Sequence, residues 1–373
     1  MKLYYIADVR LPTERAHGLQ IMKMCEAFAR GGQEVTLLVP NRKNNAGEEH
    51  DPFVYYGVER NFEIRKVASP DFLGRTLRFG NLLYRLDALF FHLRLLFTAL
   101  PQGSVVYARN PRLLSFFSAK KHYRVAELHS LDGISKKHLL IPDRLIVLTS
   151  IMRSRLIEAG IEGEKILVAP DGVDLKKFDI PISKNEARQK LGLPKDKRIV
   201  LYTGHLYSWK GGETLAEAAK EFGDDYLFVF IGGVEPELSL FKKKYEAANV
   251  RVLPFAKHEH MPFYMKAADV LVIPNSGKSE LSKSYTSPLK LFEYMASGRP
   301  IVASDLPSLR EILSEKNCFF AQSDSSHSFA ETLREALENP QDAEQRRKQA
   351  YTDVQEHTWE KRAGAIIDFC THL

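Results

Sequence analysis

Two stretches of the chain hold residues whose types and spacing suit a phosphorylated ligand. In SYTSPLKLFEYMASGRPIVASDLPSLRE (284–311), Ser287 is placed to cap a helix and Pro288 to take its first position. A helix N-terminus offers free backbone N–H groups and a partial positive charge, which suits a phosphate. Lys290 adds a full charge in the first turn, and Glu293 offers a carboxylate that can accept from ribose hydroxyls. Gly298 then ends the helix. An ordinary capped helix of an α/β unit has the same local features. In LYTGHLYSWKGGETLAEAA (201–219), a strand ends at Gly204, and His205, Lys210, Gly211 and Gly212 precede a helix. Glycine lets the backbone approach a ligand closely, and Lys210 can neutralise phosphate charge. The spacing is not that of a Walker A loop, so this second stretch is a weak signal alone.

Other chemistries find less support. His258 and His260 in KHEHM sit in a loop before a helix with no third ligand in view, so they are expected to face solvent and no metal site is expected. Ser150 and Ser154 have no histidine and carboxylate at helpful spacing for a hydrolase triad. Asp224-Asp225 reads as a helix-to-strand turn. G-x-G-x-x-G is absent after the first and the seventh strand-like run, which argues against a dinucleotide oxidoreductase. The three cysteines, Cys25, Cys318 and Cys370, are too dispersed for a disulfide framework or a zinc site and fit a reducing compartment. The N-terminus does not read as a signal peptide, so a cytoplasmic location is expected.

The elements that must position these residues follow from apolar runs. KLYYIAD (2–8), EVTLLVP (34–40), SVVYARN (104–110), YRVAELH (123–129), RLIVLTS (144–150) and ILVAPDG (166–172) mark one half of the chain. RIVLYTG (198–204), YLFVFIGG (226–233), VRVLPFA (250–256), VLVIPNS (270–276), PIVASD (300–305) and CFFAQS (318–323) mark the other. Most are continuous rather than alternating, as in strands buried on both faces of a parallel sheet, with helical patterns between them. The fold class is therefore α/β. Two sheets of about six strands are easier to build than one of twelve. The polar stretch FDIPISKNEARQKLGLPKDKR (178–198) separates them. Two Rossmann-like domains are expected, 1–180 and 181–355, with 356–373 a terminal helix returning to the first. The functional site is expected in the cleft that their strand ends face.

With 44% hydrophobic and 27% charged residues, wholesale disorder is excluded. Net charge is +6, and residues 1–185 carry 28 basic against 20 acidic side chains, so the excess lies in the first half. That density is too low for a dedicated nucleic-acid binder. LGRTLRFGNLLYRLDALFFHLRLLFTAL (73–100) is rich in Leu and Phe and carries Arg75, Arg78, Arg85 and Arg94 against Asp87. Apolar residues all round favour a core helix, while the arginine edge suits an anionic membrane surface. The charges interrupting it exclude a spanning helix.

Together the motifs resemble retaining glycosyltransferases of family 4, the "glycosyl transferases group 1" with GT-B fold, and the resemblance covers nearly the whole chain. It rests on RAHGLQIMKMCEAFARGGQEVTLLVP near the N-terminus and on LVAPDGVDLKKF with Gly172, Val173, Asp174 and Phe178. MPFYMKAADVLVIPNS followed by SPLKLFEYMASGRPIVASD is the most specific match, and HTWEKRAGAIIDF resembles the returning helix. The resemblance implies sugar transfer from a nucleotide-diphosphate donor, such as a UDP- or GDP-sugar, to a glycan or lipid-linked acceptor. It also implies retention at the anomeric carbon, with no obligatory metal or cofactor. By the same resemblance Lys210, with the Ser287–Pro288–Leu289 backbone, would contact the diphosphate, and Lys290 would add charge. Glu293 would bind the ribose, with Gly204 beside the donor, Gly18 bordering the donor phosphate or acceptor, and His129 near the donor sugar. Two positions depart from the pattern: Tyr285 stands where the family often has a sugar-contacting glutamate, and His205 where it often has an arginine. A sugar-nucleotide epimerase and a non-catalytic sugar-nucleotide-binding subunit are the alternatives.

Overall fold

The computed structural model describes residues 1–42, 51–72 and 80–371, without the side chains of residues 80–82, 84 and 85. The chain divides into two compact units, Met1–Pro170 with Trp359–Leu373, and Asp171–Thr358.

In the first unit, seven strands form one sheet: β1 (Lys2–Ile6), β2 (Glu34–Pro40), β3 (Glu63–Val67), β4 (Val105–Ala108), β5 (Tyr123–Leu128), β6 (Arg144–Val147) and β7 (Ile166–Val168). Their spatial order is β3-β2-β1-β4-β5-β6-β7, and every pair is parallel. The strand with no counterpart among the apolar runs is β3, EIRKV. It lies at the edge, where its side chains stay largely exposed, so nothing selects an apolar pattern there.

The second unit holds a six-stranded sheet: β8 (Arg198–Thr203), β9 (Tyr226–Gly233), β10 (Val250–Pro254), β11 (Val270–Ile273), β12 (Ile301–Ser304) and β13 (Phe319–Ala321). The order is β10-β9-β8-β11-β12-β13, again all parallel. Successive residues of these strands enter two different cores. Ile199, Leu201, Val229, Ile231, Leu271 and Ile273 belong to one, while Val200, Tyr202, Phe228, Phe230, Val270 and Val272 belong to the other. Burial on both faces is why the runs are continuous rather than alternating.

The segment from Asp171 belongs to the second unit because its local bonds point there. The Asp171 N–H donates to Ser287 Oγ (3.0 Å), the Val173 N–H donates to the His357 carbonyl (2.9 Å), and Phe178 is buried in the second unit's core. The terminal helix Trp359–Thr371 packs on the helix Ala16–Arg30, where Arg30 pairs with Glu360 at 2.7 Å.

The helix Gly80–Leu95 is not buried all round, as a core helix would be. Phe91 and Leu95 are buried, but Leu89, Phe90 and Leu93 are exposed, and Leu96 and Phe97 just beyond are 55% and 82% exposed. Arg75, Arg78 and the Arg85 side chain lie outside the described residues. Among the described residues no helix is long and apolar enough to cross a membrane.

Candidate functional site

The strand order reverses at β8 in the second sheet, since β8 lies between β9 and β11, and open parallel sheets bind ligands beyond the strand ends at such a point. Gly204 follows β8 with φ +128°, a backbone conformation that favours glycine. A Cβ placed there would lie 3.8 Å from Lys210 Nζ and 3.9 Å from Lys290 Nζ, so two amines converge on the space that the missing side chain leaves.

Each amine is held by a different element. Lys210 ends the short turn Ser208–Lys210, and Gly211 follows with φ +70°. A Cβ on Gly211 would collide with the Pro274 carbonyl oxygen, and the Ser276 N–H donates to the Trp209 carbonyl at 2.9 Å. The turn is thereby pressed onto the end of β11. Lys290 is the second residue of the helix Leu289–Ser297, which Tyr294 ties to β8 by accepting from the Thr203 N–H at 2.9 Å. Gly298 ends this helix in the left-handed conformation, φ +67°.

Among the described residues Lys290 Nζ is buried with no hydrogen-bond partner, and it stands 4.2 Å from the Tyr202 ring centroid. Burial, and then the charge of Lys210, push its pKa well below the usual lysine value. Burial also lowers Lys210, to about 8. Glu293 acts on Lys290 only from a distance, and among the described residues no carboxylate bonds either amine, so the pair forms a seat for a multiply charged anion. The Leu289–Ser297 helix start adds to it, because no side chain caps its first amides.

The start of this helix differs from the sequence expectation. Pro288, not Ser287, is the N-cap, and Leu289 is the first helical residue. Ser287 Oγ accepts instead from the Asp171 N–H, a partner 116 positions away, and does not cap the helix. His205 is buried with its ring stacked on Tyr207, 5.1 Å between centroids. Tyr285 is buried at the end of the turn Leu281–Tyr285.

His258 is a second correction. It is not turned to solvent: its Nε2 lies 2.6 Å from Glu293 Oε1, its Nδ1 lies 2.9 Å from Lys177 Nζ, and its ring meets Phe178 edge-on at 5.5 Å. His260 is half exposed, and among the described residues no three His, Cys, Asp or Glu gather to hold a metal. Asn275 also escaped the sequence reading. It follows β11 at the switch point, and among the described residues both polar atoms of its buried amide lack a hydrogen-bond partner. Its position just past a strand end was the available signal.

The first unit places His129 beside one buried carboxylate, Glu127, on β5. Glu127 Oε1 accepts from Gln20 Nε2 (2.7 Å) and Arg362 Nη2 (2.9 Å) and lies 2.7 Å from His129 Nε2; Oε2 accepts from the Tyr107 hydroxyl. Burial alone would raise the Glu127 pKa, but Arg362, His129 and Arg109 hold it well below the usual range. Burial, and then Arg109, lower the His129 pKa to about 4, so the imidazole is neutral at pH 7. Facing a carboxylate, its Nε2 carries the proton and Nδ1 is the ring's acceptor. Gly18 lies under Tyr56 instead of beside open space. A Cβ there would fall 2.1 Å from the Tyr56 hydroxyl, which bonds both backbone groups of Thr13.

Residues 183–353 match the family model described as Glycosyl transferases group 1. A D-inositol 3-phosphate glycosyltransferase of Xylanimonas cellulosilytica is 24% identical over 222 residues, 56% of this chain and 52% of that protein. The UDP-Gal:alpha-D-GlcNAc-diphosphoundecaprenol alpha-1,3-galactosyltransferase of Escherichia coli is 30% identical over 158 residues, 40% of this chain and 39% of that protein. The chain spans about half the length of the first of these and less of the second. Among solved structures, Anabaena HepE in complex with UDP-glucose matches with a TM-score of 0.76 at 16% identity over 100% of both chains. Sucrose-phosphate synthase from Thermosynechococcus elongatus matches with a TM-score of 0.73 at 19% identity, over 98% of this chain and 97% of that one. At these identities the likeness establishes the fold, two parallel-sheet Rossmann-like domains of GT-B type.

Proposed function

We propose, from the premise that this GT-B chain carries a group 1 glycosyltransferase domain, that it moves a sugar from a nucleotide-diphosphate donor to a glycan or lipid-linked acceptor, retaining the anomeric configuration. The observation that carries this reading is the pair of desolvated amines, Lys210 and Lys290, converging on Gly204 beside an uncapped helix start. A diphosphate supplies a negative charge for the two amines to bond, and more of it as the sugar departs. HepE structures with UDP and with UDP-glucose support a UDP-sugar as donor.

In this reading Lys210, Lys290 and the amides following Pro288 hold the diphosphate, and Glu293 accepts from the ribose. The bond from the anomeric carbon to the diphosphate oxygen breaks, and a bond to the acceptor hydroxyl oxygen forms on the same face. The acceptor proton passes to the departing diphosphate, so no enzymic nucleophile and no metal are required. His129, neutral and held by Glu127, offers an acceptor nitrogen rather than a charge.

Calorimetry and turnover with UDP-, GDP- and ADP-sugars test this. One nucleotide should bind, and Lys210→Ala should weaken it by about 10–100-fold, the usual cost of losing a charged hydrogen-bond partner. Wild-type turnover by Lys210→Ala with every nucleotide sugar would sink the assignment. The exposed face Leu89, Leu93, Leu96 and Phe97, beside exposed Arg94, supports peripheral attachment to an anionic membrane. Flotation with anionic liposomes at low salt should carry the protein, and its absence would count against attachment.

A further inference from the structure

The contacts of Glu293 reach beyond what a ribose-binding carboxylate requires. Its Oε1 is engaged by His258 Nε2, and the opposite ring nitrogen of His258 is engaged by Lys177 Nζ. An ammonium has hydrogens to give and no lone pair to take, so Lys177 must donate to Nδ1. With Nδ1 accepting, the ring proton sits on Nε2 and points at Glu293. The tautomer is thus set from one side and spent on the other, as in other histidines oriented through their second nitrogen. Phe178 and the short turn His258–His260 hold the ring in place. Glu293 itself stands on the Leu289–Ser297 helix, one turn from Lys290. Among the described residues no other hydrogen bond to its carboxylate is found, which leaves Oε2 for a ligand.

We propose that His258 is a positioning residue that turns the Glu293 carboxylate toward a ribose 2′,3′-diol, and that Lys177 holds His258 in the tautomer this needs. The inference rests on the reading of Glu293 given above. A carboxylate free to rotate accepts from one hydroxyl almost as well as from two. One pinned by Oε1 presents a fixed plane, so that a vicinal diol fits and a deoxyribose leaves a buried acceptor unmatched. His258 and Lys177 would therefore act as determinants of selection for ribonucleotide donors, without touching the sugar that is transferred.

The test is calorimetric titration of the full chain with UDP, GDP and ADP and with the 2′-deoxy form of each, for the wild type and for His258→Ala, His258→Gln and Lys177→Met. Wild type should prefer the ribonucleotide by about 10–100-fold. His258→Ala should lose most of that preference through weaker ribonucleotide binding, with the deoxynucleotide little changed. His258→Gln, which keeps an N–H donor, should restore much of it, and Lys177→Met should fall between. A merely structural role would weaken both nucleotides alike. Should His258→Ala fail to fold, the preference in His258→Gln and Lys177→Met decides. An unchanged preference in folded His258→Ala overturns the inference alone, as does a glutamine variant no better than alanine or a wild type that binds both sugars equally. A wild type that binds none of the six nucleotides overturns the proposed function, and this inference with it.

Discussion

Each unit buries charge near the end of a strand, and the two do it in opposite ways. Around Glu127 a single carboxylate meets a guanidinium, an amide, a phenol and an imidazole, all within the first unit. Arg362 also donates to the carbonyls of Ala169 (3.1 Å) and Pro170 (2.9 Å), so this cation is saturated too. Around Gly204 two amines approach each other, and among the described residues Lys290 Nζ has no hydrogen-bond partner. A saturated buried charge holds structure together, here the terminal helix to β5. An unsaturated one costs stability and persists where a ligand completes it.

Replacing Arg362 should break the first arrangement with the largest effect. Arg362→Met leaves Glu127 buried without its guanidinium and should destabilise the protein by about 3–5 kcal/mol in denaturant unfolding. The double variant with Glu127→Gln should recover part of that loss. A cost below about 1 kcal/mol would put Arg362 among ordinary surface pairs and erase the contrast.

Lys290→Met should have the opposite sign. Removing an unpartnered buried amine should stabilise the ligand-free protein by about 1–2 kcal/mol while nucleoside diphosphate affinity falls by about tenfold or more. Loss of stability in thermal melting would show that the amine is satisfied in solution and is no marker of a ligand.

The smallest effect is one of pH. Lys210 has its pKa lowered from 10.5 to about 8 by burial. Between those values the unfolded chain holds more protons than the folded one. The penalty is therefore complete below about pH 8 and relieved as pH rises toward 10.5, so stability should rise across that window. Lys210→Met should flatten this part of the melting profile. A bound diphosphate should raise the lysine again, so binding above pH 8 should take up a proton, visible as a buffer-dependent heat. Binding without proton uptake would detach Lys210 from the anion.

Much of this was legible in the residue order, for local reasons. Continuous runs such as YLFVFIGG announce buried parallel strands, and Lys210 and Lys290 stand out because glycine and proline mark the turn and helix start that carry them. Three features were not legible. His258 reads as a loop histidine because its partners, Lys177 and Glu293, are 81 and 35 positions away. Ser287 reads as a helix cap because the competing Asp171 N–H cannot be seen from its neighbours. Edge strand β3 carries no apolar signal because its side chains stay largely exposed.

The sequence by itself determined the class of each element, the α/β alternation and the two-sheet organisation, since burial on both faces imposes a pattern on every few residues. Only the tertiary structure decided which charges are paired and which are left open. Glu127 and Arg362 are 235 positions apart, whereas Lys210 and Lys290 meet over a glycine that belongs to neither turn nor helix. Pairing of charge depends on distances of a few ångströms between segments remote in the chain, and no local pattern encodes them.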